Sequence, residues 1–129
     1  MPTWQTVSLA VCVICVFPRI LIAEYIYIYI YVYRHPEPYL NGIKEIEKLS
    51  EHAIEPSKIL VLEDAPSGLA SGLAAGCQTL AVCTGQPRER IEKCEATYKV
   101  LDMTRVQVVR ADSESITLRL ITIDEEEEK

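Results

Sequence analysis

Residues 35–124 are predicted to form an α/β domain built on a partial doubly wound parallel sheet. Two observations predict this class. Short apolar runs without charge, such as Ile59–Leu62, have the composition of strands that are buried on both faces of a parallel sheet. Helical patterns separate these runs in the order helix, strand, helix, strand, helix, strand, which is typical of parallel strands joined by right-handed crossovers. A chain of 129 residues has room for one such domain with a real core.

The first helix is predicted over Tyr39–Leu49. Apolar residues recur there at three-residue steps and would form one stripe of an amphipathic helix, with lysine and glutamate side chains facing water. The stripe consists of Leu40, Ile43, Ile46 and Leu49. Pro56 and Ser57 then interrupt the pattern ahead of the strand Ile59–Leu62, so a helix leading into a buried strand begins the alternation.

A second helix, made mostly of small residues, is predicted over Gly68–Ala75. Ser67 belongs to the residue types that cap helix N-termini. Gly76 is well placed as the C′ residue, where the backbone often adopts a positive φ that glycine tolerates. The next buried strand is predicted over Thr79–Cys83, so this helix would cross over between two parallel strands.

The remaining elements become shorter and more polar. A charged helix is predicted over Pro87–Cys94, with proline at its first position, and a third short strand over Tyr98–Leu101. Apolar and polar residues alternate in Val106–Arg110 and in Ile116–Ile123, which predicts either an antiparallel pair or an extension of the sheet edge with one face in water. Residues 125–129 are expected to be a solvated acidic tail.

Residues 1–34 are a different kind of sequence. The apolar run Val7–Phe17 is followed by a proline, an arginine and a glutamate, and then by strict alternation of tyrosine with isoleucine or valine in Tyr25–Tyr33. A dinucleotide repeat translated in one frame produces such alternation, so an atypical low-complexity hydrophobic leader, created by mis-splicing, is the favoured interpretation. Association of residues 7–33 with a membrane and a genuine buried strand are the alternatives.

Charge and cysteine content restrict the partners and the compartment. The chain has 13 basic and 19 acidic residues, a net charge of −6, which argues against nucleic acid because phosphate backbones are bound by basic patches. Five cysteines without a regular framework predict free thiols in a reducing compartment, and hence a cytoplasmic protein. Cys12 and Cys15 have CxxC spacing but no second pair, so neither zinc binding nor redox chemistry is predicted. Cys83 is predicted to be a packed thiol.

Two adjacent carboxylates, Glu63 and Asp64, follow the strand Ile59–Leu62. Open parallel sheets bind ligands beyond the carboxyl ends of their strands, and Mg²⁺ takes carboxylate oxygens together with water and substrate phosphate. Backbone amides at Ser67 and Gly68, where the next helix begins, could donate to an anion. The alternative is an exposed turn in which Asp64 or Ser67 only caps that helix, and composition alone does not decide between the two.

Longer motifs around this pair resemble a known family. Val61–Leu69, followed by Gly72–Cys77, closely resembles the fourth motif of the haloacid dehalogenase-like hydrolases. More narrowly, Pro36–Leu40 and Thr84–Gln86 look like segments of fungal glycerol-phosphate and 2-deoxyglucose-phosphate phosphatases. The resemblance runs over about 90 residues, within residues 35–124.

The resemblance implies a Rossmann-like fold and Mg²⁺-dependent hydrolysis of a small sugar or polyol phosphate through an aspartyl-phosphate. In that family the acidic residues of the motif bind Mg²⁺. Asp64 would be the closer ligand, and Glu63 would bind directly or through water. Ser67 and Gly68 would offer backbone groups to the phosphate.

The family mechanism also needs an N-terminal DxD motif, whose first aspartate is the nucleophile. No aspartate precedes Asp64 in this sequence, and Tyr33 stands where the resemblance would place the lysine of the third motif. The front half and the cap domain are therefore predicted to be missing, no catalytic residue is assigned, and the chain is predicted to be inactive. A catalytically silent binding module and a membrane-tethered fragment are the alternatives.

A doubly wound sheet that lacks its first, central strand has an unpaired edge. The segment Tyr25–Tyr33 is long and has high β propensity, so it could pair at that edge opportunistically. Without such cover, residues 36–124 are expected to be marginally stable or prone to association.

Overall fold

The computed structural model describes residues 3–9, 11–16, 19–22, 26–29, 37–51, 53–84, 87–112 and 115–127. Nine strands and four helices are found in this part of the chain. The strands are β1 (Gln5–Leu9), β2 (Val11–Val16), β3 (Arg19–Ile22), β4 (Ile26–Tyr29), β5 (Ile59–Glu63), β6 (Gln78–Val82), β7 (Tyr98–Val100), β8 (Val106–Ala111) and β9 (Ile116–Leu120). The helices are α1 (Glu37–Ser50), α2 (Pro66–Ala74), α3 (Arg88–Glu92) and α4 (Ile123–Glu127).

The larger sheet has the strand order β4-β3-β2-β5-β6-β7. Strands β2, β5, β6 and β7 run parallel, whereas β3 and β4 are antiparallel to their neighbours. The predicted α/β class is confirmed, and the alternation of β5, α2, β6, α3 and β7 is compatible with part of a Rossmann-like sheet.

Strand β5 is buried along its whole length because both of its faces are covered. On one face, Ile59 and Val61 pack against Tyr39, Ile43 and Ile46 of α1. On the other face, its alternate residues join a cluster with β1, β6, β7 and β9. The members of that cluster are Val7, Leu9, Leu60, Leu62, Leu80, Val82, Val100, Leu118 and Leu120. The continuous apolar run thus reflects a strand between a helical layer and a second sheet.

The second sheet is antiparallel, with the order β1-β9-β8. Of the two predicted arrangements for β8 and β9, an antiparallel pair is the one observed, and it does not extend the edge of the larger sheet. Its register shifts between Val108 and Arg110, where one extra residue lies in β8. This strand is largely exposed, whereas Leu118 and Leu120 of β9 face the core.

The open edge of β5 is covered by a segment other than the one expected. Tyr25–Tyr33 was the candidate for this edge, but Val11–Val16 pairs with β5 there in parallel register. Ile26–Tyr29 forms the outermost strand and pairs with β3 instead. The reason lies in β1: Val7 and Leu9 are buried on the face of Leu60 and Leu62, and the short connection to β2 brings Val11 beside Ile59. No helix in the described part of the chain is long and apolar enough to cross a membrane.

Several helix and strand boundaries differ from the predictions. Helix α2 begins at Pro66 with Ala65 as its N-cap, so the assignment of Ser67 as N-cap is wrong. A proline without an N–H suits the first turn, and it moves the start of the helix toward β5. Helix α3 is limited to Arg88–Glu92. The last predicted strand ends at Leu120, and the chain turns into α4.

The end of α2 agrees with the prediction for Gly76. This residue has a φ of +86°, its N–H donates to the carbonyl of Leu73 at 2.9 Å, and the N–H of Cys77 donates to the carbonyl of Gly72 at 3.1 Å. These two hydrogen bonds form a Schellman motif, which ends the helix and directs the chain into β6.

The packing of β1 can be tested with one substitution and a matched control. Leu9→Ala should lower the free energy of unfolding by about 2–5 kcal/mol, because Leu9 is only 2% exposed and lies in the core between the two sheets. Gln5→Ala, at an exposed position of the same strand, should change it by less than about 0.5 kcal/mol. Urea unfolding followed by circular dichroism measures both, and equal effects of the two substitutions would contradict the packing of β1.

Candidate functional site

The candidate site lies at the carboxyl end of β5. This strand runs between the parallel strands β2 and β6, so its end belongs to a row of carboxyl ends along one edge of the sheet. Glu63 is the last residue of β5, Asp64 follows it, and α2 begins two residues later at Pro66. The predicted position of the acidic pair, at the end of a buried parallel strand, is therefore the observed one.

The carboxylate of Glu63 is buried and bound inside the protein. Its residue is 4% exposed. The oxygen Oε1 accepts hydrogen bonds from the backbone N–H groups of Asp64 and Ala65, both at 3.2 Å. The oxygen Oε2 accepts a hydrogen bond from the hydroxyl of Tyr39, also at 3.2 Å. These donors compensate the carboxylate for the loss of water, which a buried charge requires.

Gly68 provides the space that this carboxylate occupies. A Cβ atom added to Gly68 would lie 2.0 Å from Oε2 and 2.2 Å from Cδ of Glu63. No real side chain approaches another group so closely, so any residue larger than glycine would displace the carboxylate. Glu63 and Gly68, five positions apart in the sequence, therefore act as one packing unit.

Asp64 has a different environment from its neighbour, because it is only partly buried. It lies in the turn between β5 and α2, at the edge where parallel sheets bind ligands. Among the residues that the structure describes, no group of three or more histidine, cysteine, aspartate or glutamate side chains is arranged to hold a metal ion. Mg²⁺ is commonly held by one or two carboxylates, with water and substrate phosphate as its other ligands. Asp64 is accessible enough to be such a carboxylate ligand. The oxygens of Glu63, in contrast, already accept hydrogen bonds from within the protein.

Ser67 and Gly68 lie in the first turn of α2, as required for their predicted role in phosphate binding. Ser67 is half-buried and Gly68 is buried. The carboxylate of Glu63 lies against this turn, so the protein's own negative charge is near the place where the phosphate is expected. Binding of phosphate by these backbone groups stays a prediction.

Cys83 follows β6 and therefore lies near the same edge of the sheet. It packs against Leu69, Ala81 and Ile91. Burial raises the pKa of its thiol, and the positive charge of Arg88 lowers that pKa to a smaller extent. The prediction of a packed thiol is confirmed. Both histidines, His35 and His52, lie outside the described residues, as do the side chains of the CxxC pair.

Tyr39 is the residue of the site that sequence reasoning missed. The predicted apolar stripe of α1 contained Leu40, which is 37% exposed and does not face the core. The α1 residues in the described core cluster are Tyr39, Ile43 and Ile46, at spacings of four and three residues. Tyrosine at the first of these positions was the available signal, because a phenol on an apolar face needs a buried partner.

Part of this chain is similar in sequence to three phosphatases. Glycerol-1-phosphate phosphohydrolase 1 of Saccharomyces cerevisiae is 33% identical over 87 residues, which cover 65% of this chain and 35% of that enzyme. The resemblance to haloacid dehalogenase-like phosphatases is confirmed. Glycerol-1-phosphate phosphohydrolase 2 of the same yeast is 33% identical over 85 residues, covering 64% of this chain and 34% of that enzyme. Hexitol phosphatase A of Escherichia coli is 32% identical over 71 residues, covering 55% of this chain and 30% of that enzyme.

The chain spans about a third of the length of these phosphatases. A comparison with profiles of protein families finds no match. The similarity thus concerns one part of each relative, and the activity of the whole enzymes is a matter for proposal.

The buried thiol of Cys77, beneath the end of α2, gives a pH test of the packing. Burial raises its pKa from 9.0 to about 11. The native chain keeps this proton when the unfolded chain releases it, so the thiol's contribution to stability is full below pH 9 and is lost as pH rises toward about 11.

From pH ~8 to ~10.5, the wild-type chain should therefore lose on the order of 1–2 kcal/mol more stability than the Cys77→Ala variant. Urea unfolding of both proteins across this range measures the difference. The contributions of the other cysteines are the same in both proteins and cancel in the difference between their free energies of unfolding. If these free energies depend on pH in the same way in both proteins, the thiol of Cys77 is not buried.

Proposed function

We propose that this chain is the metal-binding part of a haloacid dehalogenase-like phosphatase whose substrate is a small phosphorylated sugar or polyol. The observation that carries the proposal is the position of Asp64, partly exposed at the carboxyl end of β5 within a motif similar to that of the family. The names of the relatives support the substrate class, since they act on glycerol 1-phosphate or on hexitol phosphates.

Asp64 would hold Mg²⁺ at this edge, and Glu63 would support it from within the fold. Bound Mg²⁺ would offset the charge of a substrate phosphate and favour its attack by a nucleophile. The backbone of the first turn of α2, at Ser67 and Gly68, would meet the phosphate from the protein side. These assignments agree with the side-chain geometry, in which Asp64 is the more accessible of the two carboxylates.

Within these 129 residues the reaction lacks its phosphoryl acceptor. The family reaction passes the phosphoryl group to an aspartate, and no aspartate precedes Asp64. Cys83 is a poor replacement, because its partly buried thiol packs against Leu69, Ala81 and Ile91 and burial raises its pKa. We therefore expect this polypeptide by itself to bind metal without turnover. The free thiols of Cys77, Cys83 and Cys94 support a reducing compartment such as the cytoplasm.

Absence of turnover is measured directly. The purified 129-residue chain should release no phosphate above background from glycerol phosphate or 2-deoxyglucose phosphate in the presence of Mg²⁺, with malachite green as the detection reagent. Asp64→Ala is the control for contaminating phosphatase, since a contaminant is indifferent to it. Turnover that Asp64→Ala abolishes would overturn the prediction of an inactive chain.

The metal site is tested with Mn²⁺ as a spectroscopic substitute for Mg²⁺. Asp64→Asn should weaken Mn²⁺ binding by about tenfold or more, because it removes the charge of the proposed direct ligand. Asp124→Asn is the matched control, since this aspartate is exposed and belongs to α4. Titration followed by electron paramagnetic resonance measures both affinities, and equal values for the two variants would refute the assignment of Asp64.

A further inference from the structure

The proposed function gives no role to the hydroxyl of Tyr39, although it is held in the core beside the candidate site. Tyr39 is buried in α1, and its hydroxyl donates to Oε2 of Glu63 across 24 residues of sequence. The other oxygen of Glu63 receives the backbone N–H groups of Asp64 and Ala65. One carboxylate therefore connects α1, the end of β5 and the turn that carries Asp64.

We propose that Glu63 and Tyr39 are positioning residues that hold this turn in shape for Asp64, and that Glu63 does not contact the metal itself. The proposal rests on the proposed function only for the role of Asp64. It differs from the expectation that both acidic residues of the motif are ligands. It also adds a residue of α1 to the site.

The hydrogen bonds argue for an internal role of Glu63. To reach a metal at the edge of the sheet, its carboxylate would have to leave the hydroxyl of Tyr39 and the two backbone amides without their acceptor in a poorly hydrated place. Unpaired buried donors are costly, so the inward position is the stable one. The amides of Asp64 and Ala65 are ordered by the same oxygen, which fixes the backbone from which the side chain of Asp64 projects.

Packing supports the same conclusion. Gly68 leaves a space that Oε2 of Glu63 fills, and a Cβ atom there would lie 2.0 Å from that oxygen. Tyr39 is held by the apolar contacts of α1 with Ile59 and Val61. The donor and the space are thus both supplied by rigid elements, as precise placement of a neighbouring group requires.

Amide hydrogen exchange tests the positioning role independently of any metal. Glu63→Ala should accelerate exchange at the amides of Asp64 and Ala65 by about tenfold or more, because their acceptor is lost. Glu63→Gln should restore slow exchange, since its amide oxygen still accepts both N–H groups and its NH₂ group can donate to the hydroxyl of Tyr39.

Tyr39→Phe has a matched control in this experiment. It should accelerate exchange at the same two amides by several-fold, about three or more, because it removes the hydroxyl that donates to Oε2 of Glu63 and helps to hold this carboxylate in place. Tyr98→Phe also removes a hydroxyl hydrogen bond, the one donated to Gln78, and should leave these two amides unchanged. Unchanged exchange in Tyr39→Phe, or equal effects of the two variants, would overturn the positioning role. Tyr39→Phe and Glu63→Gln keep the core filled, so the test stands even where Glu63→Ala unfolds.

Mn²⁺ titration separates positioning from direct ligation. Glu63→Gln should keep the affinity for Mn²⁺ within about threefold of the wild-type value, whereas Asp64→Asn should lower it by about tenfold or more. A loss in Glu63→Gln as large as that in Asp64→Asn would make Glu63 a ligand and refute the proposal. If the wild-type chain binds no Mn²⁺, the metal site of the proposed function fails, and the exchange measurements alone decide whether Glu63 and Tyr39 hold the turn.

Discussion

The enclosure of strand β5 on both edges and both faces fixes the positions of the elements around it. Both edges of the strand are paired, with β2 and with β6, and both faces are covered, by α1 and by the sheet that contains β1 and β9. A shift of this strand along the sheet would break its hydrogen bonds to both neighbouring strands at once. The end of β5 is therefore held in place, and so is the turn between β5 and α2 that starts there.

The two carboxylates at the end of β5, those of Glu63 and Asp64, have different environments. A buried carboxylate is tolerated only with hydrogen-bond donors around it, and Glu63 has such donors together with the space left by Gly68. Asp64 remains partly exposed at the edge of the sheet. The residues of the motif thus have different roles. Glu63, in the space left by Gly68, accepts hydrogen bonds from the turn, and Asp64 is accessible to a ligand.

Part of the hydrophobic segment ahead of α1 pairs with the edge of β5 that would otherwise be open. Its composition favoured an atypical hydrophobic leader and left a genuine buried strand as an alternative; in the structure, Val7 and Leu9 are buried in the core, and Val11–Val16 pairs with β5. A segment with high β propensity beside an unpaired parallel strand gains hydrogen bonds and apolar contacts at once. The part of the segment that follows β1, Val11–Val16, therefore pairs with β5. The tyrosine-containing part, Ile26–Tyr29, forms the outer strand.

Three features could be predicted from the sequence: the order of elements from α1 to β9, the glycine that ends α2 and the acidic pair at the end of a buried strand. These features depend on periodicity, residue type and spacing within a few positions. Three others follow from the packing of distant segments: Tyr39 faces Glu63, Glu63 points inward and Leu40 does not face the core. The reason is the range of the interactions: Tyr39 and Glu63 are 24 residues apart, and neither position alone carries a signal of the other.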